Sequence, residues 1–141
     1  MSAQQTQQTV FKYSTPEAGK AKTIVRLCRS DIMYASVHVL THGGETNLHA
    51  HLAQDGFWMV LKGRARFYGE GNVLIADLGP NEGILVPRGF QYWFESGSSE
   101  LLELLQVEAI DKTVENRRID YTPVTSATKV AREALRERNQ T

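Results

Sequence analysis

At 141 residues the chain has room for one domain and one core, and not for two. Hydrophobic residues make up 41% and charged residues 23%, an ordinary globular profile, and 16 basic side chains cancel 16 acidic ones. That balance leaves no electrostatic footprint for nucleic acid or an anionic membrane surface, and the single cysteine, Cys28, excludes an internal disulfide and suits a reducing compartment.

The chain begins with polar, glutamine-rich residues, Met1 to Gln8, that lack the basic start and apolar run of a secretory signal. Residues 1–9 read as a loose tail, since they offer nothing to bury. No apolar run approaches the roughly 18 to 20 residues needed to cross a bilayer, so a cytoplasmic protein without membrane partners is expected. Cys28 itself is expected as a small buried hydrophobe.

From Thr23 onward, short segments rich in β-branched and aromatic residues follow one another. They are Thr23–Leu27, Ile32–Leu40, Leu48–Leu52, Phe57–Leu61, Ala65–Tyr68, Val73–Leu78, Gly83–Val86, Gln91–Glu95 and Leu101–Val107. Turn residues separate many of them, as at Gly43-Gly44, Gly69-Glu70-Gly71-Asn72, Gly79-Pro80-Asn81 and Pro87-Arg88-Gly89. Many short strands with no intervening helix predict an all-β sandwich or barrel over residues 10–120. A parallel sheet is excluded by the lack of crossover helices.

Residues 121–141 change character. Val130, Ala131, Ala134 and Leu135 make a narrow apolar stripe at helical spacing, and Ser126 or Thr128 is placed to cap its start. A short C-terminal helix on the outside of the barrel is predicted, with dimer contacts as the alternative role.

Three of the four histidines, His42, His49 and His51, lie within ten residues, with His38 just upstream. His49 and His51 are one residue apart. On a strand that spacing puts both imidazoles on one face, which is how two nitrogen donors reach one point in a barrel. His42, before Gly43-Gly44, is expected at the surface, and His38 as a hydrogen-bonded strand residue.

The pattern around these histidines resembles the cupin family. Gly43, five residues, His49-Ala50-His51, four residues, Gly56, six residues and Gly63 match the first cupin motif, G-x5-H-x-H-x3–4-E-x6-G, in glycines, histidines and spacing. Pro87-Arg88-Gly89 followed by Tyr92 is similar to the second motif, G-x5-P-x-G-x2-H-x3-N. The resemblance covers roughly Val37 to Val107 and implies a double-stranded β-helix, the jelly-roll barrel, with a short C-terminal helix. The departures are specific: the motif's Glu falls on Gly56, its second histidine on Tyr92, its Asn on Ser96 and its first glycine on Asn81.

What the resemblance implies follows residue by residue. His49 and His51 are the candidate metal ligands, for a divalent transition metal such as iron, manganese, nickel or zinc. Tyr92 joins His49 and His51 as a candidate catalytic group, as a phenol-oxygen ligand to the metal or as a proton donor. Asp55 or Gln54, from the turn before Gly56, are candidates to replace the missing carboxylate. With His49, His51 and Tyr92 facing inward, alternation predicts Trp58, Val60 and Phe94 beside them, around a pocket for a small organic molecule, while Trp93 points outward. Glu103, within an apolar run, is either solvated or placed in that pocket. Arg64, Arg66 and Arg88 are weaker candidates for holding an acidic substrate group.

Three functions fit: a metal-dependent enzyme, a metal-free sugar-nucleotide isomerase or epimerase with His and Tyr as base and acid, or a noncatalytic binding barrel. Family assembly implies a homodimer.

Overall fold

The computed structural model describes residues 7–17 and 19–139. Most of the 1–9 tail therefore lies outside the described residues; Gln7, Gln8 and Thr9 are exposed and belong to no strand or helix.

The strands in chain order are β1 (Lys22–Arg29), β2 (Met33–Leu40), β3 (His49–His51), β4 (Gln54–Lys62), β5 (Ala65–Tyr68), β6 (Leu74–Leu78), β7 (Gly83–Val86), β8 (Trp93–Ser96), β9 (Leu102–Ile110) and β10 (Arg118–Asp120). They are followed by α1 (Ser126–Asn139). Every segment expected as a strand is one, with ends shifted by a few residues. β10 is the addition, because a three-residue strand reading Arg-Ile-Asp carries too little apolar pattern to be predicted.

Antiparallel pairing gives one sheet in the order β1-β2-β9-β4-β7, with β10-β3 and β6-β5-β8 opposite. A bridge joins the last two into one layer. The His49 N–H donates to the Tyr92 carbonyl at 3.1 Å, and the Tyr92 N–H returns to the His49 carbonyl at 2.9 Å. This is the jelly-roll sandwich expected of a double-stranded β-helix.

Alternation along each strand decides what fills it. Trp58 and Val60 from β4, Phe67 from β5, Phe94 from β8 and Leu102 and Leu104 from β9 are fully buried between the layers. Phe67 meets Phe94 at 5.2 Å and Trp58 at 5.8 Å between ring centroids, in tilted and edge-on contacts that suit aromatic quadrupoles. Trp93, of opposite parity to Phe94, points away from this core, stacks on Tyr68 at 4.3 Å and donates to Asn72 Oδ1.

α1 packs along β1. Thr125, rather than Ser126 or Thr128, caps it: the Thr128 N–H donates to Thr125 Oγ1 at 3.3 Å, and the Thr125 hydroxyl ties back to the Glu45 carbonyl at 2.9 Å. The buried face also differs from the expected stripe. Thr128 and Ala131 are buried with Leu135 half-buried, an i, i+3, i+7 series, whereas Val130 is 53% exposed. No helix among the described residues is long and apolar enough to cross a membrane.

Phe67→Ala removes a fully buried ring touching both Trp58 and Phe94, so a loss of about 3–5 kcal/mol is expected in guanidinium denaturation. A loss under about 1 kcal/mol would mean that the inner faces do not interdigitate here.

Candidate functional site

β3 is short because it only needs to present two side chains. His49 and His51 stand on one face with ring centroids 5.1 Å apart, edge to face. The backbone bridge to Tyr92 lays that phenol ring 4.5 Å from the His49 ring and 6.5 Å from the His51 ring. His49 Nδ1 lies 2.6 Å from the Asn47 carbonyl oxygen. A carbonyl only accepts, so Nδ1 carries the proton and Nε2 keeps its lone pair.

Burial sets the protonation of the whole group. It pulls the His49 imidazole down to about 3, helped by the Arg118 guanidinium. It pulls His51 down to about 4, helped by Arg118 and Arg132. His38, on β2, is held well below its ordinary value by burial and by Lys22. All three are neutral at physiological pH. Tyr92 moves the other way: burial, then the Glu108 carboxyl, push its phenol above the usual range. Lys22 is brought down to about 7 by burial and by Arg132 and Arg118.

Gly56 leaves a notch beside this group. His51, Gln54, Gly56, Val86, Tyr92 and Gln106 enclose a cavity of about 10 Å³, enough for a single water-sized group. His38 Nδ1 is buried without a hydrogen-bond partner among the described residues, while the Trp58 Nε1–H is turned toward the Tyr92 phenol. A Cβ at position 56 would lie 3.1 Å from Trp58 Nε1, so the indole edge borders the notch.

The other expected residues sort by side-chain parity. Trp58, Val60 and Phe94 do face inward, and they are packed into the core cluster rather than set around an open chamber. Glu103 is a correction. Leu102 and Leu104 face the core, so Glu103 takes the opposite face of β9. There the Tyr13 hydroxyl at 2.5 Å and the Thr15 hydroxyl at 2.7 Å donate to its Oε1, and it is neither solvated nor in the barrel. His42 is exposed, while His38 faces the Gln106 side-chain oxygen at 2.9 Å. Gln54 turns inward, whereas Asp55 turns outward to accept from the Arg88 backbone N–H. Arg64 and Arg66 bind Asp77, and Arg88 binds Asp55 and Asp111, all at the surface.

Several residues at the site are not among those the sequence pointed to. Gln106 and Glu108 share the inward parity of Leu102 and Leu104, a signal that period two carries. Gln106 Oε1 accepts from the Ser36 hydroxyl, and its amide donates to Glu108 Oε1 at 2.6 Å. Burial raises Glu108 to about 7, against hydrogen bonds and nearby arginines that favour its charged form. Arg118, Arg132 and Lys22 carry no such signal, since their strand and helix faces become inward only once β10 and α1 close the open edge of the sandwich.

A resident divalent metal would find few donors here. His49 and His51 would be its nitrogen ligands, yet no third His, Cys, Asp or Glu joins them among the described residues. Gly56 offers no side-chain oxygen, and positive charge lies close by, from Arg118 near both imidazoles and Arg132 near His51. Protein metal sites of this type use three or four side chains. The residues present do not fit such an ion.

No family model and no curated protein sequence matches the chain. Solved structures do. An uncharacterized conserved protein with a double-stranded β-helix domain from Klebsiella pneumoniae aligns with a TM-score of 0.64 at 16% identity, over 77% of this chain and 84% of its own. A cupin superfamily protein from Desulfitobacterium hafniense aligns at 0.58 and 22% identity, over 68% and 84%. The DMSP lyase DddQ from Ruegeria pomeroyi aligns at 0.58 and 21% identity, over 73% and 53%. The fold is that of the cupin double-stranded β-helix.

Neutral imidazoles have a measurable consequence. In the unfolded chain they protonate near pH 6.5, and in the fold only near 3 to 4. Between those limits the unfolded state binds more protons, so stability falls as pH drops. The ceiling is about 2 kcal/mol per imidazole from pH 6.5 to 5. Glu108, raised to about 7, acts in the opposite direction, but equally in parent and variant. Urea denaturation of His49→Gln/His51→Gln is expected to show a smaller stability loss than the parent between pH 7 and 5. An equal loss would mean that the imidazoles are not held neutral.

Proposed function

We propose that the protein is a small-molecule-binding barrel that works without a resident metal, its ligand meeting His51, Tyr92 and Gln106 at the enclosed end of the site. One observation carries this reading. The imidazoles are detuned downward and the phenol upward, both away from neutral pH. A base and an acid that exchange protons at pH 7 need values near 7. These groups instead keep fixed protonation states, with the His49 Nε2 lone pair and a phenol hydroxyl held in place for hydrogen bonding. That speaks against the histidines and Tyr92 as the base and acid of the metal-free isomerase reading, and favours recognition by these groups. The fold itself is neutral in the matter, since an enzyme such as the DMSP lyase shares it with proteins of other kinds.

The test is metal content. Protein purified without a histidine tag or chelator is expected to carry well under one metal per chain by elemental analysis. Adding zinc, manganese, iron or nickel is expected to leave its melting temperature unchanged, because an ion that bound only the fold would raise it. Near one metal per chain, lost in His49→Ala/His51→Ala, would overturn the metal-free reading and restore the two imidazoles as ligands.

A further inference from the structure

Resting on that binding reading, the geometry points to a ligand class: we propose that the barrel takes a small organic anion, its acidic group held by Arg132, Arg118 and Lys22 beside the imidazole pair.

The cations in this corner outnumber their partners. Lys22 is 2% exposed, yet its ammonium has the Thr128 hydroxyl at 3.2 Å as a hydrogen-bond acceptor and the Phe94 ring at 5.4 Å, and no carboxylate within ion-pair distance among the described residues. Arg132, half-buried on α1, has Asp120 as its favourable charge neighbour, opposed by Arg118 and Arg136. Arg118 does have partners, donating to Asp120 Oδ1 at 2.8 Å and Asn47 Oδ1 at 2.7 Å. Asp120 also accepts from the Asn47 amide at 2.9 Å, so its charge is shared. Burial without a counter-ion disfavours the charged form, which is why the Lys22 ammonium is brought down to about 7. An anion from outside supplies that counter-ion, and guanidinium groups are suited to carboxylate and phosphate oxygens.

A route exists. A pocket of about 300 Å³ opens at the mouth of the sandwich, lined by Arg26 and Arg29 of β1, Tyr34, Gln54, Glu108 and Arg136 of α1. Its volume suits a small molecule. Gln54 also lines the enclosed cavity that contains His51 and Tyr92, so the outer pocket and the inner one share this residue as a wall. Arg132 lies one helical turn before Arg136, toward the interior, and its charge reaches both His38 and His51. Arg26, Arg29 and Arg136 at the rim raise the local concentration of anions outside the site.

The test uses the full chain, with succinate, inorganic phosphate and neutral succinamide as probes, read by calorimetry and by the His51 imidazole resonance. At least one of the two anions is expected to bind and move that resonance, with succinamide silent. Arg132→Met is expected to weaken binding about tenfold or more, and Arg132→Lys to retain most of it, which separates charge from packing. The tighter of succinate and phosphate identifies the acidic group. Succinamide binding as well as the anions, indifferent to Arg132→Met, would overturn the anion assignment and leave the binding reading standing. No movement of His51 with any of the three would also overturn it. A set of neutral fragments that also left His51 unmoved would bring down the binding reading as well.

Discussion

The space between the two sheets has to be filled and dry, and nearly everything else in this protein follows from that. The layers meet through Trp58, Phe67, Phe94 and Leu104, which alternation alone delivers to the inner faces. Their packing stabilises the fold by removing apolar area from water, at about 25 cal/mol per Å². The same dryness fixes the chemistry. An imidazole or a phenol held in that interior loses its charged form, so His38, His49, His51 and Tyr92 become neutral hydrogen-bonding groups because of the core they sit in.

Polar groups placed in such an interior must be tied to one another. Gln106 does most of this, accepting from Ser36, facing His38 and donating to Glu108. The chain of bonds runs along the inward side of β2 and β9, where hydrocarbon would pack as well or better. Among the described residues His38 Nδ1 escapes it. Buried atoms of this kind are rare in folded proteins and are usually met by water or a bound molecule. The His38 ring lies within reach of the Lys22 and Arg132 charges, so an unsatisfied ring nitrogen and buried positive charge are neighbours here.

The fold was legible because strand alternation and turn residues are local properties. Ala65–Tyr68 and Gly83–Val86 have the bounds their sequence suggests, and the spacing of glycines around His49 and His51 is enough by itself to resemble the cupin pattern. The site was legible only where parity could be read. His49, His51, Tyr92, Trp58 and Phe94 point inward as their strands require. Glu103 has apolar neighbours on both sides, which suggests a place among them, although Leu102 and Leu104 on the inner face exclude it from that face. Lys22, Arg118 and Arg132 were not legible at all. They approach one another because β1 and β10 are edge strands of opposite layers and α1 packs along β1, and no short-range pattern encodes that approach.

Gly56 shows why the departures from the cupin motif belong together. In that motif position 56 carries a carboxylate, and here the indole of Trp58 borders the space it would need. A Cβ would lie 3.1 Å from Trp58 Nε1, closer than ordinary contact, and the rest of a glutamate side chain would have to displace the ring. That ring cannot shift freely, since His38 at 5.1 Å, Phe94 at 4.9 Å and Phe67 at 5.8 Å pack around it. The missing carboxylate, the tyrosine at 92 and the aromatic core are therefore one arrangement. Two imidazoles remain from the motif, and the groups around them are now a glutamine, a phenol and the guanidinium groups of Arg118 and Arg132 in place of the motif's other metal donors.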